Sequence, residues 1–224
     1  MSGMLEHAFW KLLVFVLPGA VLALSVLALL AWAPHYTHEG ALPLTLRVLE
    51  DRGAALDPAS AMAALAREQP VLLRDTRLAA TPFWFSFAVP AAQPGSAAVV
   101  EFPSRHMVAL ACWDGAGFAP LGAADRASPR GRLFDSRAGF GLRLQGLAPG
   151  APVLCQARFM GPGRLTVQQW DEQALQIAAQ AFERDAGLLE GGILMLALFV
   201  FVTALINRNS TYVLFAVWLL INLR

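Results

Sequence analysis

Two periodicities divide the chain. Near each end apolar residues run on without a polar face, and between them they alternate in short runs. Leu188–Ile206, LLEGGILMLALFVFVTALI, has nineteen residues, which as a helix reach roughly 28 Å, about the hydrocarbon thickness of a bilayer. Its single charge, Glu190, lies within one turn of the end, close enough to reach the headgroups. A short turn, Asn207-Arg208-Asn209-Ser210, leads into a second run, Thr211–Leu223. At roughly 20 Å that run is too short to cross, so the expectation is a third membrane helix cut off at Arg224, in the front part of a longer protein. At the other end Leu12–Ala33 is apolar apart from Pro18, Gly19 and Ser25, with Lys11 before it and Trp10 and Trp32 near its two ends. Ala31-Trp32-Ala33 has the small-x-small form of a signal-peptide cleavage site, but the length of the run and Pro34 after it favour an uncleaved anchor.

Between these runs the pattern is that of strands. Phe83, Phe85, Phe87 and Val89 alternate with Trp84, Ser86 and Ala88. Further strands are expected at Leu42–Glu50, Pro70–Asp75, Ala97–Phe102, Arg105–Asp114, Phe118–Gly122, Phe140–Leu144, Val153–Met160 and Arg164–Gln168. Gly, Pro and Asp clusters punctuate them, at Gln93-Pro94-Gly95, Asp114-Gly115, Ser128-Pro129, Ala148-Pro149-Gly150 and Gly161-Pro162-Gly163. Eight or nine short strands so punctuated predict a mainly β fold, a jelly-roll-like β-sandwich flanked by transmembrane α-helices. One helix interrupts it, with Asp57 as N-cap, Pro58 as first residue, Met62 and Leu65 as apolar stripe and Gln69-Pro70 as its end. From Trp170 to Ala186 the spacing turns helical: Ala174, Leu175, Ala178 and Phe182 share one face, and Gln173, Gln176, Gln180 and Glu183 the other. This helix either runs on into the membrane span as a stiff rod or packs over a sheet edge.

Composition narrows the setting. Hydrophobic residues are 57% and charged residues 15%, the balance of a membrane protein, and a net charge of +1 gives no basic field for nucleic acid. Lys11 before the first span and Arg208 after the second put both flanks in the cytoplasm, and residues 34–187 outside. Residues 34–186 hold 14 Arg and 14 acidic residues, and a segment of that length translocates regardless of charge. Cys112 and Cys155 both fall there, which points to a disulfide. Two reduced, buried cysteines are the alternative. A bridge closing a loop of about 44 residues constrains the unfolded chain by about 4 kcal/mol in the chain-entropy model.

No P-loop, dinucleotide glycine motif, His-Glu-x-x-His or nucleophile elbow occurs, and no cofactor is implied. Gly139-Phe140-Gly141 reads as a bulge or a close approach of backbones. His35 and His38, with only Glu39 beside them, make no convincing metal set, and Tyr36 between them suggests an interface segment. Candidate ligand-binding residues are the aromatic and planar hydrogen-bonding side chains suited to polar or sugar recognition. The first cluster is Trp113 and Asp114 at the end of one strand with Arg105 and His106 at its start; Asp125 and Arg126 in the next loop come second.

The layout resembles the bacterial seven-transmembrane receptors with diverse intracellular signalling modules. The resemblance rests on the N-terminal anchor, the exported sandwich, Glu183-Arg184-Asp185-Ala186-Gly187-Leu188-Leu189-Glu190-Gly191-Gly192 at the bundle entry, and the turn Asn207–Tyr212. Within the exported part it rests on Leu49-Glu50-Asp51, Phe83-Trp84-Phe85 and Glu101-Phe102-Pro103. It covers roughly residues 40–224 in diffuse patterns, with no catalytic signature. It implies a periplasmic sensor domain similar to carbohydrate-binding modules, working with a cytoplasmic output such as a GGDEF diguanylate cyclase or a histidine kinase. The expected organisation is a cytoplasmic N-terminus (1–11), a first span (12–33), the sandwich (34–168), a linking helix (169–187), a second span (188–206), a cytoplasmic turn (207–210) and the start of a third span (211–224). Expected partners are the lipid bilayer, a small-molecule ligand with carbohydrate among the candidates or a periplasmic protein, and a second copy of the chain. A membrane-anchored carbohydrate- or envelope-binding module without output is the alternative from another class, and an exported hydrolase lacks the clustered acids or nucleophile it needs.

Overall fold

The structure is a computed structural model that describes Ala23 and residues 40–53, 55–91, 98–208 and 210–221. The expected first span, its flanking Lys11, Trp10 and Trp32, the His35–Glu39 segment and the Gln93-Pro94-Gly95 turn lie outside the described residues, apart from a helical Ala23.

Phe83, Phe85 and Phe87 point one way from β4 (Phe83–Ala88) and bury into the largest apolar cluster of the chain. The same cluster takes Val100 and Phe102 of β5 (Ala98–Phe102), Phe140 and Leu142 of β10 (Gly139–Arg143), and Val153, Cys155 and Ala157 of β11 (Pro152–Phe159). Phe85 and Phe87 meet Phe102 edge-on, with ring centres 5.6 and 6.0 Å apart. Each of these rings, fully buried, stabilises the fold by about 1.5–3 kcal/mol through area removed from water. Two antiparallel sheets therefore face each other across one core. The five-stranded sheet has the order β1 (Leu42–Leu44), β13 (Val167–Asp171), β5, β10, β9 (Leu133–Ser136). The six-stranded sheet has the order β2 (Arg47–Glu50), β4, β11, β6 (Met107–Asp114), β7 (Pro120–Asp125), β8 (Pro129–Gly131). A third, two-stranded sheet pairs β3 (Arg74–Arg77) with β12 (Gly163–Leu165).

Several boundaries differ from the sequence expectation. Leu42–Glu50 is two strands, because the chain leaves the five-stranded sheet after Leu44 and joins the six-stranded one at Arg47, with Leu46 bridged to Val71 between them. The strand expected at Pro70–Asp75 starts at Arg74 instead, after that bridge. β7 begins two residues late, because Phe118 closes a turn onto the Asp114 carbonyl with φ 56°. β8 and β9, consecutive in the chain but in different sheets, had no counterpart in the sequence reading. Trp170 belongs to β13, not to a helix.

Cys112 and Cys155 are directly opposed on β6 and β11, fully buried and joined by a disulfide. The bridge therefore staples neighbouring strands of one sheet from within the core. On the other face of that sheet lies α1 (Pro58–Leu65), capped by Asp57, whose carboxylate accepts from the Ser60 N–H at 2.7 Å. Ala61 and Leu65 cover Trp84 and Leu154, with Met62 and Trp113 at the margin. Asp51 holds this corner: its carboxylate accepts from the Leu56 N–H and the Trp84 indole, at 3.1 and 3.3 Å.

β13 passes straight into α2 (Glu172–Asn207), with Asp171 as N-cap accepting from the N–H groups of Gln173 and Ala174. The expected linking helix and second span are thus one helix of 36 residues, uninterrupted at Gly187, Gly191 or Gly192. Its first turns pack Leu175, Ala174 and Ala178 onto Trp170 and Val99 of the five-stranded sheet. Its continuation is exposed and apolar, and α2 is the one described helix long and apolar enough to cross a membrane. Arg208, left-handed at φ 49°, ends it, and α3 (Ser210–Ile221) folds back against it. Beyond the first turns, the buried residues of this hairpin are small: Ala197, Ala204 and Ala216. Small residues there let backbones approach closely, as membrane helix pairs do.

Candidate functional site

The outer face of the six-stranded sheet is only half covered. At one end α1 roofs Trp84, Leu154 and Trp113. Among the described residues the face beyond Trp113 is open, and its register lines up side chains from four strands in two rows. One row reads Gln156–Ala111–Ala123–Arg130 from β11 to β8, and the next reads Arg158–Ala109–Asp125. With strands about 4.8 Å apart, two adjacent strands of alanine make a floor nearly 10 Å wide between taller polar walls. The resulting trough encloses about 260 Å³, and Ser128 completes its rim.

The walls carry two guanidiniums, one carboxylate, one amide and one hydroxyl. Asp125 is fixed by its own loop, where a single carboxylate oxygen accepts from the N–H groups of Ala127 and Ser128, each at 2.9 Å. The Ser128 and Ala127 N–H groups, with a smaller contribution from the charge of Arg130, hold this carboxyl below the usual aspartate range. Asp125 is therefore an anion at neutral pH, set opposite Arg158 across Ala109. With two cations against one anion the trough is net positive.

The six candidate residues do not form one cluster. Trp113 and Asp125 share this outer face, but of the two only Asp125 lines the trough. The Trp113 ring leans on Trp84, with centres 5.4 Å apart, at the margin of α1. Asp114 is a turn residue: its carboxylate accepts from the Ala116 N–H at 3.2 Å. Arg105 and His106 lie at the far end of β6. The Arg105 carbonyl accepts from the Arg126 guanidinium, and His106 Nδ1 meets the Met160 carbonyl at 3.0 Å. The side chains of Asp114, His106 and Arg126 thus hold loop backbone outside the trough, and Arg105 contributes only its carbonyl.

A second, wider concavity of about 580 Å³ lies beside β3, lined by Glu50, Arg52, Arg74, Asp75, Thr76 and Arg77 among others. Its acids are already engaged. Glu50 accepts from the Thr81 hydroxyl and pairs with Arg52, and Asp75 pairs with Arg164. Its hydroxyl, on Thr76, exchanges two hydrogen bonds with Gly163.

Sequence reasoning missed the charged centre of the opposite sheet. Glu101 is fully buried on the outer face of β5, where its carboxylate accepts from the Ser136 hydroxyl and from both arms of the Arg137 guanidinium. Arg137 in turn lies over the Trp170 ring, 4.8 Å from its centre. Trp170 is the residue on which the root of α2 packs, so this ion pair sits beside the attachment of the long apolar helix. The signal was present as a lone acid inside the apolar run Val99-Val100-Glu101-Phe102. Among the described residues no group of three His, Cys, Asp or Glu is placed to hold a metal ion. No family model matches the chain, and no curated protein is significantly similar to it in sequence.

Proposed function

We propose that this chain is the sensory and membrane part of a bacterial transmembrane signalling receptor, with a periplasmic jelly-roll domain that takes a small ligand in the trough. The observation that carries the reading is the junction at Asp171. A sheet strand becomes a membrane-length helix with no loop between them, so a displacement of β13 has no hinge in which to dissipate. The packing of Leu175 on Trp170, and the ion pair beneath it, stiffen the same point.

The strand order supports the jelly-roll reading. Numbered one to eight, β1, β4, β5, β6, β7, β10, β11 and β13 lie as 1-8-3-6 in one sheet and 2-7-4-5 in the other, the connectivity of two Greek keys. A disulfide inside the core supports an oxidising compartment such as the periplasm. The family resemblance supports the inner membrane and a cytoplasmic output, a diguanylate cyclase or a histidine kinase. Signalling requires that the ligand favour one of two arrangements of α2.

The test is a phase series in the full-length protein. One to four alanines inserted after Gln180 each rotate the lower helix by about 100°. Output, measured as cyclic diguanylate formation or phosphotransfer, should vary with insertion length and return towards wild type at three or four. Output indifferent to the insertions, or a full-length protein with no signalling domain, would contradict the proposal and favour a plain anchor.

A further inference from the structure

The side chains of the trough specify what kind of ligand it takes. Sugar recognition uses an aromatic platform in contact with the ligand, and no aromatic ring lines this cavity. The nearest, Trp113, is engaged with Trp84 and the margin of α1. What the trough offers is a shallow apolar floor, Ala109, Ala111 and Ala123, with the Arg130 guanidinium on one side and the Arg158 guanidinium and Gln156 amide together on the other. Arg158 stands on β11 and Arg130 on β8, three strand spacings apart, about 14 Å between backbones. Both side chains are long enough to lean inward over the alanines. Planar guanidinium forks match carboxylate oxygens two at a time, and the alanine floor suits a short methylene chain. At about 260 Å³ the volume fits a metabolite rather than an oligosaccharide.

We propose that the trough binds a small aliphatic carboxylate, a short dicarboxylate above all, held by Arg130 on one side and by Arg158, with Gln156 donating beside it, on the other. This rests on the reading of the trough as the ligand site. Asp125 limits the choice further, because it places a fixed negative charge on one side of the rim and disfavours ligands carrying a third carboxylate there.

The test is calorimetric titration of the full chain in nanodiscs, at constant ionic strength, with succinate, glutarate, glucose and inorganic phosphate as probes. Succinate or glutarate should bind saturably, and glucose and phosphate should not. Arg158→Gln and Arg130→Gln should each weaken dicarboxylate binding about tenfold or more, the range for a lost charge-assisted hydrogen bond. Arg164→Gln, on the two-stranded sheet, should leave it unchanged. A second variant, Ala111→Phe, fills the floor without touching a charge and should abolish binding while thermal unfolding stays cooperative. Glucose binding that Ala111→Phe abolishes would overturn the carboxylate class and leave the trough as the ligand site. Phosphate binding in place of dicarboxylate would overturn it in favour of a tetrahedral anion. Binding of none of the four probes, or dicarboxylate binding indifferent to both arginine variants, would overturn the proposal outright. The helix-phase series needs no ligand, so the receptor reading stands or falls separately.

Discussion

The pair Glu101–Arg137 gives the sharpest energetic prediction. Glu101 has no exposure, and the Arg137 side chain keeps 14% of its surface. Removing one partner of such a buried pair costs about 3–5 kcal/mol, a third or more of a typical domain's stability. The loss should be unequal. Arg137→Ala leaves a carboxylate deep in the protein with only the Ser136 hydroxyl, whereas Glu101→Ala leaves a guanidinium with an edge to water and the Trp170 ring beneath it. Arg137 also sits at φ 33°, a left-handed position that costs a non-glycine residue about 1–3 kcal/mol. Arg137→Gly relieves that strain and should be less damaging than Arg137→Ala by about 1 kcal/mol. Replacing both charges, as Glu101→Leu with Arg137→Met, should recover much of the loss, because an apolar pair of similar volume needs no compensation. Urea unfolding of the full chain in detergent, followed by tryptophan fluorescence, measures all of these. An Arg137→Ala variant within about 1 kcal/mol of wild type, or a double variant that loses the sum of the single losses, would refute the reasoning.

Cys112→Ser with Cys155→Ser should lower stability by about 4 kcal/mol, since the bridge closes a loop of 43 residues; the same urea titration measures it, with no loss counting against a bridge. Gly139→Ala should be more disruptive than Gly141→Ala, judged by the yield of folded protein: a Cβ at 139 would lie 2.0 Å from the Phe102 carbonyl oxygen, in fixed backbone, while at 141 the three atoms nearest to it all belong to the Phe134 ring, a side chain. Asp57 is held below the usual carboxyl range by the Ser60 N–H, then the Ser60 hydroxyl and the Ala59 N–H. Its folded pKa is thus the lower one, so its contribution is present above about pH 4 and is lost as pH falls through the folded value. Asp57→Asn keeps the cap and should flatten the acid limb of stability below about pH 4 with little change at pH 7; an unaltered acid limb in urea titrations would count against the cap.

The strands legible in the sequence were those with one face in the core. Phe83, Phe85 and Phe87 could be read because alternation is the imprint of a half-buried strand, and Asp57-Pro58 because a cap and a fixed φ are local chemistry. β8 was illegible: Pro129-Arg130-Gly131 has no alternation, and its pairing depends on the close approach of Gly122 to the Arg130 carbonyl. Trp170 read as helical because it, Ala174, Leu175 and Ala178 pack on one patch, so the apolar spacing crosses the strand–helix junction without a break. Of the six candidate residues, only Asp125 lines the trough. Its alanine floor carried no signal, since Ala109, Ala111 and Ala123 become a feature only when two neighbouring strands set them in register. Arg137 lies 36 residues from Glu101, and no local pattern joins them.

The account depends most on which side of the membrane the sandwich folds. Gly150 sits in an exposed turn at φ 81°, where an added Cβ would meet nothing within 4 Å, so an insertion there should spare the core. Alkaline phosphatase and green fluorescent protein inserted in turn after Gly150 report the compartment. Strong phosphatase activity without fluorescence is the expected result; bright fluorescence without phosphatase activity would contradict the external sandwich and the receptor proposed from it.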